Sequence, residues 1–553
     1  MDPLTWTGSL GGVAIPVMIV GLFAMGLGII GSFAASFGTS TQPVFAPGGA
    51  VLKPWTLGTQ ATLGELILPG ILLGLVFWGI ETAVSEPTLR AWLASTGMPA
   101  WTAMTLNLLA FFAAGAFVSW LAQRFPVSFY DWLARMGGLV VIGTIVVFGV
   151  LAVFMPYGEA GIWGEIVKRF IPVWVALIVT FALSLIYKRR LGLYGKLFDS
   201  TIGMIGFGLV MFWVYTALFT GLFDMIVTHD PLTQISGLKN KVPGVPLPED
   251  RIAEGAFPHY LLGGDNLARD IFSRMVEGSL IVMVIAPLAT LFAFMVGITL
   301  GLPAGYYGGK LDTVLAFLAN LVLAFPVILL FYLLVTPEII AVGIPNFMAV
   351  VLFLFPLIFF FVLINSRFRT QPSKNAVLLA VVMIPLAFLY LNVVSEPGSA
   401  VAIWPGGLDF IEIPGGILVV FVSVVFVNAP TVFRIVRGLA LDIKTRDYVA
   451  AGQTRGERPW YIMLWEILPN ARGPLIVDFC LRIGYTTILL GTLGFFGLGL
   501  PPESPDWGST INEGRKLILV FPHPALPPAI ALLSLVLGLN LLADGLREES
   551  LRD

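Results

Sequence analysis

The chain has 553 residues, 57% of them hydrophobic and only 12% charged, with a mean hydropathy of +0.92. Soluble domains carry about a quarter charged residues, so this composition excludes a soluble globular protein and points to an all-α, polytopic membrane protein. The net charge of −2 offers no footprint for nucleic acid, and the single cysteine, Cys480, excludes an intrachain disulfide.

A membrane-spanning helix needs about 20 mostly apolar residues. That window gives thirteen spans: 10–36, 63–84, 101–122, 137–155, 170–187, 202–226, 280–304, 312–335, 347–365, 375–393, 414–434, 473–497 and 524–545. The first run, Leu10 to Phe33, lacks a basic leader and is too long for a signal segment, so it reads as a retained helix. Glu65 and Glu81 sit near the ends of the second span. Basic residues collect on the cytoplasmic side of membrane proteins. Placing the loop at Arg446 inside puts 20 of the 31 Lys and Arg residues in cytoplasmic segments, with the N-terminus outside and the C-terminus inside. The one long polar stretch, Asp224 to Gly278, then lies outside, as a cap that a soluble partner could touch.

Between two apolar runs lies a polar island, Arg446 to Asn470. Asp447 is expected to cap a short helix that exposes Ala450, Ala451, Thr454 and Arg455, and Gly456 to stop it. Pro459 suits the first turn of a second short helix, which carries Trp460, Ile462, Met463 and Ile467 into the membrane boundary, and Pro469 is expected to end it. The expectation is a helix-turn-helix lying at the membrane surface.

Gly456, Ile462 and the triplet Leu468-Pro469-Asn470 resemble the "EAA" cytoplasmic loop of ABC importer permeases. Leu493 to Arg515 is similar to the end of the fifth helix and the following loop in the C-type subunit of dipeptide and oligopeptide permeases. Asp265 to Arg274 (DNLARDIFSR) resembles the segment before that family's second helix. The resemblance implies a type I permease core of six transmembrane helices, and the sequence departs from it by about seven further predicted helices. Residues 1–196 would be an N-terminal extension of about five helices, and 197–335 core helices 1–3 with the external loop 224–278. Residues 336–412 would be an inserted helix pair, and 413–553 core helices 4–6. It implies an inner-membrane importer of peptides or similar small solutes that works with a second homologous permease, two ABC ATPase subunits and an external solute-binding protein. ATP and Mg would be bound by the ATPases, with no cofactor in this chain. It further implies an ATPase-coupling loop made of Asp447, Tyr448, Ala450, Ala451, Gly452, Thr454, Arg455, Gly456, Glu457, Leu468 and Pro469, in which small Ala450, Ala451, Gly452 and Gly456 would let a partner's groove approach the backbone. The family's glutamate falls on Ala450 and its second alanine on Gly452, so a salt bridge from position 450 is unavailable and Arg455 or Glu457 would substitute.

Other features have structural readings beside functional ones. Gly297, Gly301 and Gly305 form a small-residue stripe suited to close helix packing. Phe325-Pro326 falls mid-span, where proline favours a kink that could line a pathway or be purely structural. Asp478 and Arg482, four apart, can pair on one helix face and either touch substrate or anchor the neighbouring loop. The histidines at 229, 259 and 523 are scattered, so no metal site is expected. Gly305 to Lys310 fails as a phosphate loop because Leu311 stands where Ser or Thr is required. An ion-coupled secondary transporter, the main alternative, would need carboxylates near the midplane, and a membrane enzyme a convergent His, Asp or Glu cluster; few such residues are present.

Overall fold

A computed structural model of the chain describes residues 3–36, 105–106, 108–113, 127–254, 256–394, 415–498 and 504–550. Among these, ten helices are long and apolar enough to cross a membrane, and one bent pair makes an eleventh. The expected span 63–84, with Glu65 and Glu81, lies outside the described residues. Span 101–122 is described only at 105–106 and 108–113, which are helical. The chain divides into two compact units, Trp6–Gly164 and Met1–Thr5 with Glu165–Asp553.

In the smaller unit, α1 (Gly11–Ser36) and α2 (Val127–Phe154) pack against each other. Their pairing is antiparallel: a Cβ on Gly21 would meet Val141, one on Gly28 would lie 2.3 Å from the Ala134 nitrogen, and one on Gly31 would enter the Tyr130 ring. Small residues permit this approach, and Ser32 donates a 2.6 Å hydrogen bond to Asp131 that satisfies a carboxylate within the pair.

The larger unit begins with α3 (Ile171–Tyr187) and α4 (Thr201–Phe223), followed by α5 (Ile271–Tyr307), α6 (Gly309–Leu323) and α7 (Val327–Val335). Then come α8 (Ile344–Leu352), α9 (Leu354–Phe368), α10 (Pro372–Val394), α11 (Gly415–Ile443) and α12 (Asp447–Thr454). The chain closes with α13 (Arg472–Phe496), α14 (Trp507–Arg515) and α15 (Leu526–Ser550). Helix α3 packs on α4 through Phe181 against Phe207, so it belongs with this unit.

Helix α5 is the central post, touching α4, α9, α11 and α13. Its glycine stripe acts as expected. A Cβ on Gly297 would lie 2.5 Å from Val432, and one on Gly301 would lie 2.9 Å from Val436, so α11 lies almost backbone to backbone with α5. Buried Thr290, Asn428 and Thr486 tie α5, α11 and α13 together by hydrogen bonds of 3.3 and 3.4 Å. At 37 residues, α5 is about 55 Å long and exceeds the hydrocarbon thickness. It starts nine residues before the expected 280, because hydropathy registers only its apolar part and Ile271–Ser279 is buried under the polar lobe instead. The expected kink at Phe325-Pro326 is a full break: α6 and α7 meet at 81°, with Pro326 as the N-cap of α7.

The connecting segments of this unit gather into two sets. One brings together the α5–α6 turn, the end of α9 and residues 443–471. Lys444 donates to the Gly305 carbonyl at 2.8 Å, Gln453 to the Tyr306 hydroxyl at 3.2 Å, and Arg437 pairs with Asp312. The other brings the 224–270 lobe onto α14 and the turn after it. A short antiparallel pair, β1 (Val245–Pro246) and β2 (His259–Tyr260), braces that lobe over a core of Ile235, Leu238, Leu247, Tyr260 and Ala268.

Candidate functional site

The Arg446–Asn470 loop is a built structure with two pieces. Arg446 rather than Asp447 occupies the N-cap of α12, and no side chain caps it. Asp447 is the first helical residue, where its carboxylate still faces the positive end of the helix dipole. The helix ends in a Schellman turn. The N–H of Gly456 bonds to the Gln453 carbonyl at 2.9 Å and that of Glu457 to the Gly452 carbonyl at 3.2 Å, with Gly456 at φ +77. Only glycine adopts that backbone without strain.

The two faces of α12 differ. Tyr448, Ala450, Ala451, Thr454 and Arg455 are exposed, while Val449 and Gly452 are buried. Gly452 therefore does not belong to the outward surface expected of it: a Cβ there would touch Ile462 and Glu466 of the same loop at 3.8 Å. Arg455 is likewise engaged within the loop, pairing with Glu466 at 2.8 Å. Glu457 is half-buried.

The second piece runs as α-helix over Pro459–Tyr461, π-helix over Ile462–Ile467 and α-helix over Leu468–Asn470. Pro459 opens it as expected. Ile462, Met463, Leu464 and Ile467 are buried against other helices, where the sequence suggested a membrane boundary. They pack on Phe294 and Leu302 of α5 and on Val432, Val436 and Ala440 of α11. The apolar face of this piece is thus covered by the helix bundle, because its apolar residues find helix partners within reach. Pro469 is exposed and sits within the last helical turn without ending the piece; the break comes at Ala471, after which α13 starts. Leu468 is half-buried.

Asp478 and Arg482 form the expected pair at 2.7 Å, with side chains 16% and 9% exposed. A narrow apolar groove lies between α7 and α13, lined by Phe331, Tyr332, Leu493 and Phe496 among others. Its nearest α13 residue, Leu489, is two turns beyond Arg482, so the ion pair does not line that groove. Phe325 and Pro326 are exposed at the break.

At the opposite set of segments lies a buried charge network centred on the Asp265–Arg274 segment. Asp265 accepts from the backbone N–H groups of Leu267 and Arg269 at 2.8 and 2.9 Å and from Arg269 Nε at 2.7 Å. Arg269 reaches 244 positions along the chain to Glu513 of α14. Arg274 donates to the Ser504 carbonyl at 3.1 Å and to Thr510 at 3.2 Å. Asp270 caps α5, accepting from Ser273 N–H at 3.2 Å, and also meets Thr228 at 2.8 Å and His229 at 3.1 Å. Burial pushes the Glu513 carboxyl up despite the pull of Arg269 and Arg274. It pushes the Asp506 carboxyl up and holds the His523 imidazole below its usual value. Only the i to i+4 spacing of Asp265 and Arg269 could have signalled any of this.

Residues 375–548 match the profile of the family described as "Binding-protein-dependent transport system inner membrane component". The glutathione transport system permease protein GsiD of Pectobacterium atrosepticum is 30% identical over 299 residues, covering 54% of this chain and 74% of that protein. The chain belongs to this permease family. The dipeptide transport system permease DppC of Haemophilus influenzae is 29% identical over 295 residues, covering 53% of this chain and 75% of its own length. DppC of Alkalihalophilus pseudofirmus is 26% identical over 301 residues. The protein is therefore a multi-pass inner-membrane permease subunit of an ABC transport system, as expected, and its relatives are transport permeases rather than enzymes. A permease of this family works with an ATPase, a substrate-binding protein and a second permease. The family match also disfavours the ion-coupled alternative.

Proposed function

We propose that this permease imports small peptides or similar solutes, and that energy enters through the exposed face of α12. The cargo class follows the glutathione and dipeptide permeases to which the chain is similar. Two ABC ATPase subunits would dock on one side, a solute-binding protein on the other, and a second homologous permease would complete the pathway. The Lys and Arg bias assigns the α12 side to the cytoplasm. ATP and Mg would be bound by the ATPases, because the chain has no phosphate-loop sequence of its own.

One observation carries the coupling role. Helix α12 presents Tyr448, Ala450, Ala451 and Thr454 outward, while Val449 and Gly452 fasten it inward. Small outward residues let a groove on another protein approach closely, and the buried inner face passes a push to α5 and α11. Leu468 and Pro469 lie at the far end of the same unit and fix its exit toward α13. Asp478 and Arg482 pair within α13 beyond that exit, and Phe325-Pro326 gives α6 and α7 separate directions.

The test is co-purification of the full chain with its partner permease and candidate ATPases. Ala451→Trp adds bulk to an exposed face without disturbing the helix, and retention of the ATPases should fall by about tenfold or more. Retention equal to wild type would remove α12 from the docking surface.

A further inference from the structure

Two adjacent residues at the end of α9 grip the second piece of the coupling loop. Arg367 donates to the Tyr461 hydroxyl at 3.2 Å and sets its guanidinium 4.7 Å from the centre of the Trp465 ring. Ser366 accepts the Trp465 indole N–H at 3.0 Å. The indole is therefore held at its face and its edge by one helix end, in a geometry that a planar guanidinium suits and a lysine does not reproduce.

Trp465 lies in the π-helical segment Ile462–Ile467. Such wide turns are uncommon in helices and concentrate at functional sites. The next residue, Glu466, holds Arg455, the C-cap of α12. Contact thus passes from α9 through Trp465 and Glu466 to the helix that carries the docking face. Helix α9 precedes the stretch 375–548 covered by the family profile, whereas Tyr461, Trp465 and Glu466 lie inside it. The grip comes from a part of the chain that the profile does not include.

We infer that Arg367 is a positioning residue for energy coupling: the end of α9 fixes the second piece of the loop, so that force on α12 moves the helix bundle instead of being absorbed by the loop. This inference rests on the coupling role proposed above, so its test has one arm that needs no ATPase.

In the first arm, amide hydrogen exchange is measured on the purified full chain as wild type, Arg367→Ala and Trp465→Phe, the last keeping an aromatic face while losing the indole N–H. Amides of Glu457–Asn470 should exchange about threefold faster or more in both variants, with α13 unchanged and Arg367→Lys intermediate. Unchanged exchange in Arg367→Ala would overturn the grip. In the second arm, the complete transporter is reconstituted with Arg367→Ala. ATPase occupancy and basal hydrolysis should match wild type, while stimulation by loaded binding protein falls about threefold or more. Unchanged stimulation, or a fall that only tracks lost ATPase subunits, would overturn the positioning role. A wild-type complex with no stimulation at all would contradict the coupling role itself and leave the exchange arm to decide the grip.

Discussion

Arg455 and Glu466 pair at 2.8 Å across the bend at Gly456, joining the last turn of α12 to the π-helical segment that follows it. The bend alone would leave α12 hinged on a glycine. The pair closes the hinge, and the two pieces then form one unit seated on α5 and α11.

Glu466→Gln should free α12 while sparing the rest of the fold. Arg455 is 58% exposed, so the pair contributes at most about 1 kcal/mol and global unfolding should barely shift. Amide exchange in Asp447–Thr454 should nonetheless quicken. Equal exchange in variant and wild type would show that the apolar contacts of Val449 alone hold the helix.

Gly301→Leu should destabilise the fold, since a Cβ at that position would already lie 2.9 Å from Val436. Overpacking of this kind costs about 1–3 kcal/mol or more. Gly438→Leu is the control, because nothing lies within 4 Å of a Cβ there. Thermal unfolding in detergent should separate the two; equal midpoints would contradict the close α5–α11 contact.

What the sequence could reveal followed from local rules. Long apolar runs marked the spans, Gly456 and Pro459 marked the loop's bend and restart, and Gly297, Gly301 and Gly305 marked a close helix contact whose partner only the fold identifies. The failures share a cause. Asp447 looked like a cap because the spacing favours it, yet the chain enters the helix one residue earlier, at Arg446. Gly452 looked available because small residues on a short amphipathic helix do not declare their facing. Ile462, Met463 and Ile467 looked lipid-bound because apolar character does not say which partner covers it. Arg269 with Glu513, and Arg367 with Trp465, join residues far apart in the chain, and no local pattern encodes such pairs.

Arg269→Ala should open the 224–270 lobe. It would leave Asp265, 1% exposed at its side chain, with its backbone donors and only the distant Arg274 guanidinium at 3.9 Å. Breaking a buried pair from one side costs about 3–5 kcal/mol. Limited proteolysis within 231–268 should become rapid while the membrane helices stay intact, and resistance equal to wild type would contradict the network's structural role.

His523 should favour loosening of the 224–270 lobe as pH falls. His523 Nε2 donates to the Gly264 carbonyl at 3.3 Å, and burial holds this imidazole below its usual 6.5. The opened lobe therefore takes up a proton before the closed one does. Stability is full above about 6.5 and is lost as pH drops from there toward the depressed value. Glu513 and Asp506, whose pKa values burial raises, act in the opposite sense: their protonation favours the closed form as pH falls. Any rise in proteolytic opening between pH 7 and pH 5.5 should thus be larger in wild type than in His523→Gln. An identical pH response in the variant would exclude His523 as the sensor.

The most direct measurement is uptake of a labelled dipeptide into proteoliposomes that hold this permease, its partner permease and the ATPases. Wild-type vesicles should accumulate the peptide only when ATP is on the α12 side and binding protein on the other, and Ala451→Trp should reduce uptake about tenfold or more. Accumulation driven by a proton or sodium gradient without ATP, or uptake indifferent to Ala451→Trp, would contradict import energised through α12.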